Sequence, residues 1–235
     1  MEKNRYQSGA SPLFVVLACL FVTSFLISNI IAGKLIQVWS MVLPAAVIIF
    51  PITYIFGDVL TEVYGFKRSR LVIWVGFAVN ILMAVVFILT VYLPYPDFWG
   101  GQDAYATVLG FTPRIVLASL VAYFAGEFSN SVLLSKMKLL TQGKWLWTRT
   151  IGSTIVGEGI DTILFISIAF GGILPVATIG VMILAQYLWK VVYEIAATPL
   201  TYWLVKWVKT KEGMDTFDHG ISYNPFNLGV NDEFI

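Results

Sequence analysis

The sequence predicts an all-α, polytopic membrane protein with six transmembrane helices, and three observations predict it. First, 58% of the 235 residues are hydrophobic and only 12% are charged; a soluble domain carries about twice that charged share. Such a chain cannot cover its surface with polar groups, so lipid must be part of its solvent. Second, six apolar windows approach or exceed the about 20 helical residues that a bilayer core requires. They fall at about 12–32, 40–63, 70–93, 113–135, 150–172 and 177–206. Third, the basic residues gather on one side of these windows.

Each window has its own signature. Lys3 and Arg5 precede the first, as in a signal peptide, but the apolar stretch from Pro12 to Ala32 is too long for a signal core and no small-residue cleavage site follows at the usual distance. It reads as a spanning helix. The second window is the least regular, because Pro44 and Pro51 interrupt it and Asp58 and Glu62 sit in its last turns. The third follows the basic run Lys67, Arg68 and Arg70. Between the third and fourth lies the longest connection, PYPDFWGGQDAYATVLGFT. Its Tyr95, Phe98, Trp99 and Tyr105 suit an interfacial aromatic belt, and a lid over a planar ligand is the alternative. The fourth window repeats small residues at Ala118, Ala122 and Gly126, and the fifth has Ser153 and Gly157. Small residues at that spacing let helices approach closely. The expected division is a cytoplasmic segment over 1–11, a six-helix membrane domain over 12–209 and a polar tail over 210–235.

Alternate loops fix the orientation. Lys3, Arg5, Lys67, Arg68, Arg70, Lys136, Lys138, Lys144, Arg149, Lys206, Lys209 and Lys211 fall on one side, 12 of the 15 basic residues. Lys34 and Arg114 fall on the other, and Lys190 lies within a helix. Positive loops stay inside, so both termini are expected in the cytoplasm and the protein in the inner membrane.

Ionisable groups at membrane depth are costly and face a cavity or each other. Gln186, Lys190 and Glu194 recur every fourth residue and form one stripe of the sixth helix. Glu158 and Asp161 share a face of the fifth, and Glu127 and Asn130 a face of the fourth. Asp58 lies in the second helix, and Asn29 and Asn80 add amides on the first and third. At about 1.5 Å per residue, Asp161 and Lys190 both come near the midplane, so an ion pair between them is expected. That pair either joins two helices, serves a ligand, or does both. Glu127, Glu158 and Glu194 are left with no intramembrane cation of their own. Such carboxyls hold a proton, meet water or face a donor-rich ligand.

Several functions are excluded. A net charge of +1 argues against nucleic acid as a partner. Cys19 is the only cysteine and His219 the only histidine, so neither an intrachain disulfide nor a His/Cys zinc site can form, and no cofactor is expected. The chain has no GxxxxGK[ST] phosphate loop. No nucleophile–base pair accompanies the acids, so no enzyme is expected, and the mixed set does not resemble a channel's repeated ring.

At these polar segments the chain resembles a known family. ISNIIAGKLI, FPITYIFGDVLTEVYGFKRSR, GFTPRIVLASLVAYFAGEFSNSVLLSKMK, RTIGSTIVGEGIDTILFISIAFG and the tail YNPFNL are together similar to the queuosine precursor transporter family, also called the VUT family. The resemblance runs from about Asn29 to Leu228. It implies import of 7-deazaguanine bases, the 7-cyano and 7-aminomethyl precursors used in tRNA modification. It also implies a six-helix fold similar to the substrate-binding components of energy-coupling-factor transporters. Residues carried over are Asn29, Asp58, Glu127, Asn130, Glu158, Asp161 and Lys190; Gln186 and Glu194 join them on the sixth-helix stripe. A vitamin- or nucleobase-binding subunit working with a separate ATPase is the alternative, and room is left for a homodimer.

The chemistry fits such a base. Its adjacent ring N–H and amino group are donors that one carboxylate can accept together, a strong charge-assisted contact. Glu158, with no evident partner, is the first candidate for that role and Glu127 the second. An Asn, Gln or Lys can donate to the ring carbonyl, and Trp189, Tyr187 or Phe128 can stack on the ring face.

Overall fold

The computed structural model describes residues 10–32, 34–38, 41–110 and 113–227. Lys3 and Arg5, most of the 1–11 segment, and the tail from Leu228 onward lie outside the described residues, as does the side chain of Arg114.

Helix α1 (Pro12–Ile31) starts where Ser11 Oγ accepts the amide of Phe14 at 3.0 Å and Pro12 fills the first turn. Both features satisfy or remove donors that a helix N-terminus leaves unpaired. The window expected at 40–63 is not one helix. The chain forms strands β1 (Leu35–Val38) and β2 (Met41–Pro44), paired antiparallel with Leu35 opposite Pro44. A 3-10 turn (Ala45–Ile48) leads into α2 (Phe50–Tyr64). The prolines explain the break. Pro44 has no N–H to continue a strand or a helix, whereas Pro51 sits in the first turn of α2, where no N–H is needed. The 15 residues of α2 reach about 22 Å, short of a bilayer core of about 30 Å.

Gly65 turns the chain at φ +83°, and α3 (Phe66–Tyr92) follows. A short α4 (Gln102–Leu109) lies in the long connection. Then come α5 (Pro113–Leu140), α6 (Leu146–Phe170) and α7 (Val176–Glu212). Among the described residues, five helices are long and apolar enough to cross a membrane: α1, α3, α5 from Leu117, α6 and α7. The protein is therefore a mostly helical, multi-pass membrane protein.

The bundle is apolar outside and mixed within. Val16, Leu82, Leu89, Val181 and Leu200 lie on its surface, as a lipid solvent allows. Inside, Phe14, Leu17, Phe21 and Phe25 of α1 pack with Val59, Leu60 and Val63 of α2 and with Tyr123 of α5. Helix α2 retraces α1 in the opposite direction: Tyr64, its last residue, meets Phe14 with ring centroids 4.9 Å apart. Its first residue, Phe50, shares a cavity with Phe25 and Asn29.

The end of the bundle where α2 meets α3 is locked by charge and by the tail. Glu62 accepts Arg149 Nε and Nη2, each at 2.7 Å, and Lys209 Nζ at 2.6 Å. Lys138 donates to the Glu62 and Thr216 carbonyls and to Asp215. Beyond α7 the chain folds back on α3. Arg70 donates to the carbonyls of Ser222 and Asn224, and Trp74 Nε1 to that of Pro225 at 2.8 Å. Asp218 accepts the first amide of α3, from Phe66, at 2.9 Å. The YNPFNL segment thus has a structural contact that its polarity alone did not announce.

Candidate functional site

The site begins with two glycines. Helices α5 and α6 cross so closely at Gly126 and Gly157 that a β-carbon on Gly157 would come 2.7 Å from Asn130 Cβ and 3.0 Å from Gly126 O. The small residues expected to pack helices do so here: Ala118, Ala122 and Ser153 are buried along the same seam. This approach sets Glu127 and Asn130 of α5 beside Glu158 and Asp161 of α6. Tyr54 of α2 completes the cluster, its hydroxyl 3.1 Å from where a Gly126 β-carbon would stand.

Lys190 of α7 enters from the other side and is 2% exposed. Its Nζ donates to Asp161 Oδ2 at 2.7 Å, the pair expected from depth. It also stands 2.5 Å from Glu158 Oε2, which corrects the expectation that Glu158 has no partner. Residues 158 and 161 lie on one helix face, so a single ammonium reaches both. Phe50 completes the surroundings of Lys190, with Nζ 4.2 Å from its ring centroid, a cation–π contact.

The other acids sit further in. Both carboxyl oxygens of fully buried Glu127 make no hydrogen bond among the described residues. A slot at Gly57 makes room for them: a β-carbon there would be 2.5 Å from Glu127 Oε1. Asp58 Oδ1 accepts Asn130 Nδ2 at 2.8 Å, while Asp58 Oδ2 and Asn130 Oδ1 make no such bond. Glu194 is buried, and its Oε1 makes no hydrogen bond among the described residues. Among the described residues, this cluster therefore brings together five carboxyls, Asp58, Glu127, Glu158, Asp161 and Glu194, and one ammonium, Lys190.

A cavity of about 40 Å³ adjoins this cluster. Asp161, Gln186, Lys190 and Asn29 line it, whereas Glu158, Glu127, Asn130, Asp58 and Glu194 are not part of its lining. Its aromatic walls are Phe25, Phe50, Tyr123 and Phe165. The aromatics expected there are elsewhere. Tyr187 and Trp189 are each one residue, about 100° of helical turn, off the Gln186–Lys190 stripe. Phe128 packs with Trp74, Phe124 and Phe66 near the tail. Phe50, Tyr54 and Ser119 were not legible as site residues, since one aromatic or hydroxyl among many carries no periodic signal.

Apolar-surfaced helices that bring charge beside a cavity form an arrangement that a small-molecule transporter can use. Residues 44–204, more than half of the chain, match the family described as "Putative vitamin uptake transporter". The chain belongs to that family, the VUT or queuosine precursor transporter family, whose members are transporters and not enzymes. A "Probable queuosine precursor transporter" of Bacillus subtilis (strain 168) is 26% identical over 188 residues, 79% of this chain and 81% of that protein. The "Queuosine precursor transporter" of Escherichia coli (strain K12) is 29% identical over 121 residues, 52% of either chain. A "Probable queuosine precursor transporter" of Haemophilus influenzae is 26% identical over 121 residues, 52% of this chain and 49% of that one. The match therefore spans about half the length of these last two relatives. No solved structure matches the chain.

Proposed function

We propose that the protein imports queuosine precursors, 7-cyano-7-deazaguanine or 7-aminomethyl-7-deazaguanine or both, across the inner membrane. The observation that carries the reading is the Asp161–Lys190–Glu158 cluster at the edge of a cavity with aromatic walls. Asp161, on the lining, accepts from the ring N–H and the amino group. Glu158 on the same ammonium and Glu127 behind it keep the charge balance adjustable as a donor-rich base arrives. Gln186 or Asn29 donates to the ring carbonyl, and Phe25, Phe50 or Tyr123 covers the ring face. Glu194, Asp58 and Asn130 support the set from behind.

A cavity of about 40 Å³ holds water but not a bicyclic base. In this reading the structure is a closed form, and the turn that lends Pro44, Ala46 and Val47 to the wall moves to admit the base. The antiparallel run of α2 along α1 supports a sixth crossing by the hairpin, turn and α2 together. Six crossings and the basic loops favour cytoplasmic termini, and the same reading has a membrane domain over 12–209 flanked by the 1–11 segment and the 210–235 tail. Likeness to energy-coupling-factor substrate-binding components and assembly as a homodimer belong to the same proposal.

The test is uptake of labelled 7-deazaguanine precursors by cells that cannot make them, with and without the protein. Uptake that depends on the protein supports the reading; equal uptake in both overturns it.

A further inference from the structure

Glu127 is fully buried, and neither of its carboxyl oxygens makes a hydrogen bond among the described residues. It is not part of the cavity lining. Its carboxyl stands in the slot that Gly57 of α2 leaves open: a β-carbon there would lie 2.5 Å from Oε1 and 3.2 Å from the Phe21 ring of α1. An ionised carboxylate that has lost its water and meets no donor costs far more than a neutral polar group. In this seat Glu127 holds a proton.

The neighbouring groups point the same way. Tyr123 on its own helix, Tyr54 and Asp58 of α2, and Glu158 and Asp161 of α6 lie within reach of its charge. All five are neutral or acidic. Helix α7 presents Glu194 and Lys190, and that ammonium is already held by Glu158 and Asp161. In α1 the titratable side chain is Cys19, which is exposed, and those of α3, Lys67, Arg68, Arg70 and Tyr92, lie at its ends. Among the described residues, no unpaired cation faces Glu127.

Helix α2 carries both the slot and part of the cavity wall. Gly57 receives Glu127, and two turns earlier Phe50 lines the cavity beside Pro44, Ala46 and Val47 of the preceding turn. Without its proton, Glu127 would set a bare charge against Gly57 and Phe21, so α2 would have to part from α5 or admit water. The seat of α2, and with it the cavity wall, therefore depends on one proton. The same helix supplies a route. Tyr54, Asp58 and Glu62 are buried and recur every fourth residue, about 6 Å apart along the axis. They lead from the Gly126 crossing toward the end of the bundle where α2 meets α3, and Asp58 Oδ2 makes no hydrogen bond among the described residues.

We propose that uptake is proton-coupled and that Glu127 is the site of the coupled proton. This rests on the transport reading above and adds its driving force. A proton from outside forms an O–H bond on the Glu127 carboxylate, and neutral Glu127 lets α2 close over the loaded cavity. On the other side that O–H bond breaks, and the proton leaves past Asp58 to water at the basic end, which restores the carboxylate. One proton enters and one leaves with each base.

The test uses purified full-length protein in liposomes, with labelled 7-cyano-7-deazaguanine as the probe and the membrane potential clamped. Each protein is measured twice: for exchange of labelled against unlabelled base at equal pH, and for accumulation when the outside is the more acidic. Wild type is expected to accumulate base several-fold above the equal-pH level. Glu127→Gln is neutral at every pH, so its accumulation relative to its own exchange rate is expected to fall to the equal-pH level, whatever the absolute rate. Glu127→Asp keeps an ionisable carboxyl and is expected to accumulate base with a displaced pH profile, which keeps the proposal open to refutation if Glu127→Gln does not fold. A wild type that ignores the gradient, an equal gradient response in Glu127→Gln, or an unchanged profile in Glu127→Asp overturns the proposal while leaving exchange, and so the transport reading, intact. A wild type that exchanges no labelled base overturns the transport reading. Infrared spectra of base-free protein then decide whether Glu127 holds the proton: a protonated-carboxyl band at neutral pH that is lost in Glu127→Gln or shifted in Glu127→Asp supports it, and a spectrum without such a band overturns it.

Discussion

Gly126 and Asp161 are so close that a β-carbon on the glycine would lie 2.8 Å from Asp161 Cβ. The carboxylate that lines the cavity thus occupies its place because a residue on the neighbouring helix lacks a side chain. Gly126→Ala must push α6 away, since the backbone oxygen of Gly157 is also 2.9 Å from the added carbon. We expect a loss of about 1–3 kcal/mol of stability from overpacking and a marked drop in uptake. Thermal unfolding beside a Gly100→Ala control, where the added carbon meets nothing within 4 Å, checks it. Equal melting of the two variants would refute the tight crossing.

Lys190 serves two carboxylates, so its removal strands both. Lys190→Met is expected to cost about 3–5 kcal/mol, the range for breaking one partner from a buried pair. Adding Asp161→Asn should restore only part of that stability, and adding Glu158→Gln as well should restore more. Complete recovery in the Lys190→Met, Asp161→Asn double variant would show that Glu158 does not need the lysine.

Glu158→Gln by itself leaves the Lys190–Asp161 bond in place. If Glu158 helps read the base, the variant binds it at least tenfold more weakly, the equivalent of losing one hydrogen bond to a charged group. If Glu158 only neutralises Lys190, affinity barely changes while the protein stays folded. Binding of the labelled base to both purified proteins separates these outcomes.

Orientation is checked by reporters. A fusion after Lys211 should score cytoplasmic and an insertion near Gly101 external, because 12 basic residues flank one side and two the other. The reverse pair of readings would overturn the proposed orientation.

The tail has its own pH dependence. Burial pushes the Asp215 carboxyl up, but hydrogen bonds and charge from Lys138 and Lys209 outweigh it and hold the group below its ordinary value. A carboxyl depressed in the folded state stabilises above its unfolded value, and that contribution is lost as pH falls through the folded one. Protease cleavage within residues 213–221 should therefore be slow at pH 7 and faster in acid. Asp215→Asn should cut fast at both, and a wild-type rate flat from pH 7 to pH 3 would contradict the clamp.

Much of the bundle was legible because membrane helices declare themselves by long apolar runs and because intramembrane charge is rare. The Asp161–Lys190 pair followed from depth, and small-residue spacing marked Gly126 and Gly157 for close packing without saying that they meet. The break at 40–63 was visible only as Pro44 and Pro51, which say that a helix is interrupted but not that a hairpin replaces it. Glu158's share of Lys190 was missed because spacing within one helix does not reveal which face a second helix offers. Glu62 looked like one more acid near a helix end. Its partners, Arg149 and Lys209, come from positions 87 and 147 residues away, and they had been read only as signs of orientation.

The bond between Asp218 and the first amide of α3 spans 152 residues of chain. A ribosome releases α3 into the bilayer long before it makes the residue that caps it. Insertion of the third helix must therefore proceed with a provisional, water-satisfied end. A nascent chain stalled in α7 would have its helices made yet this end of the bundle unsealed, with Phe66, Arg70 and Trp74 still awaiting their partners. The tail thus seals this end of the bundle only after α7 has been made.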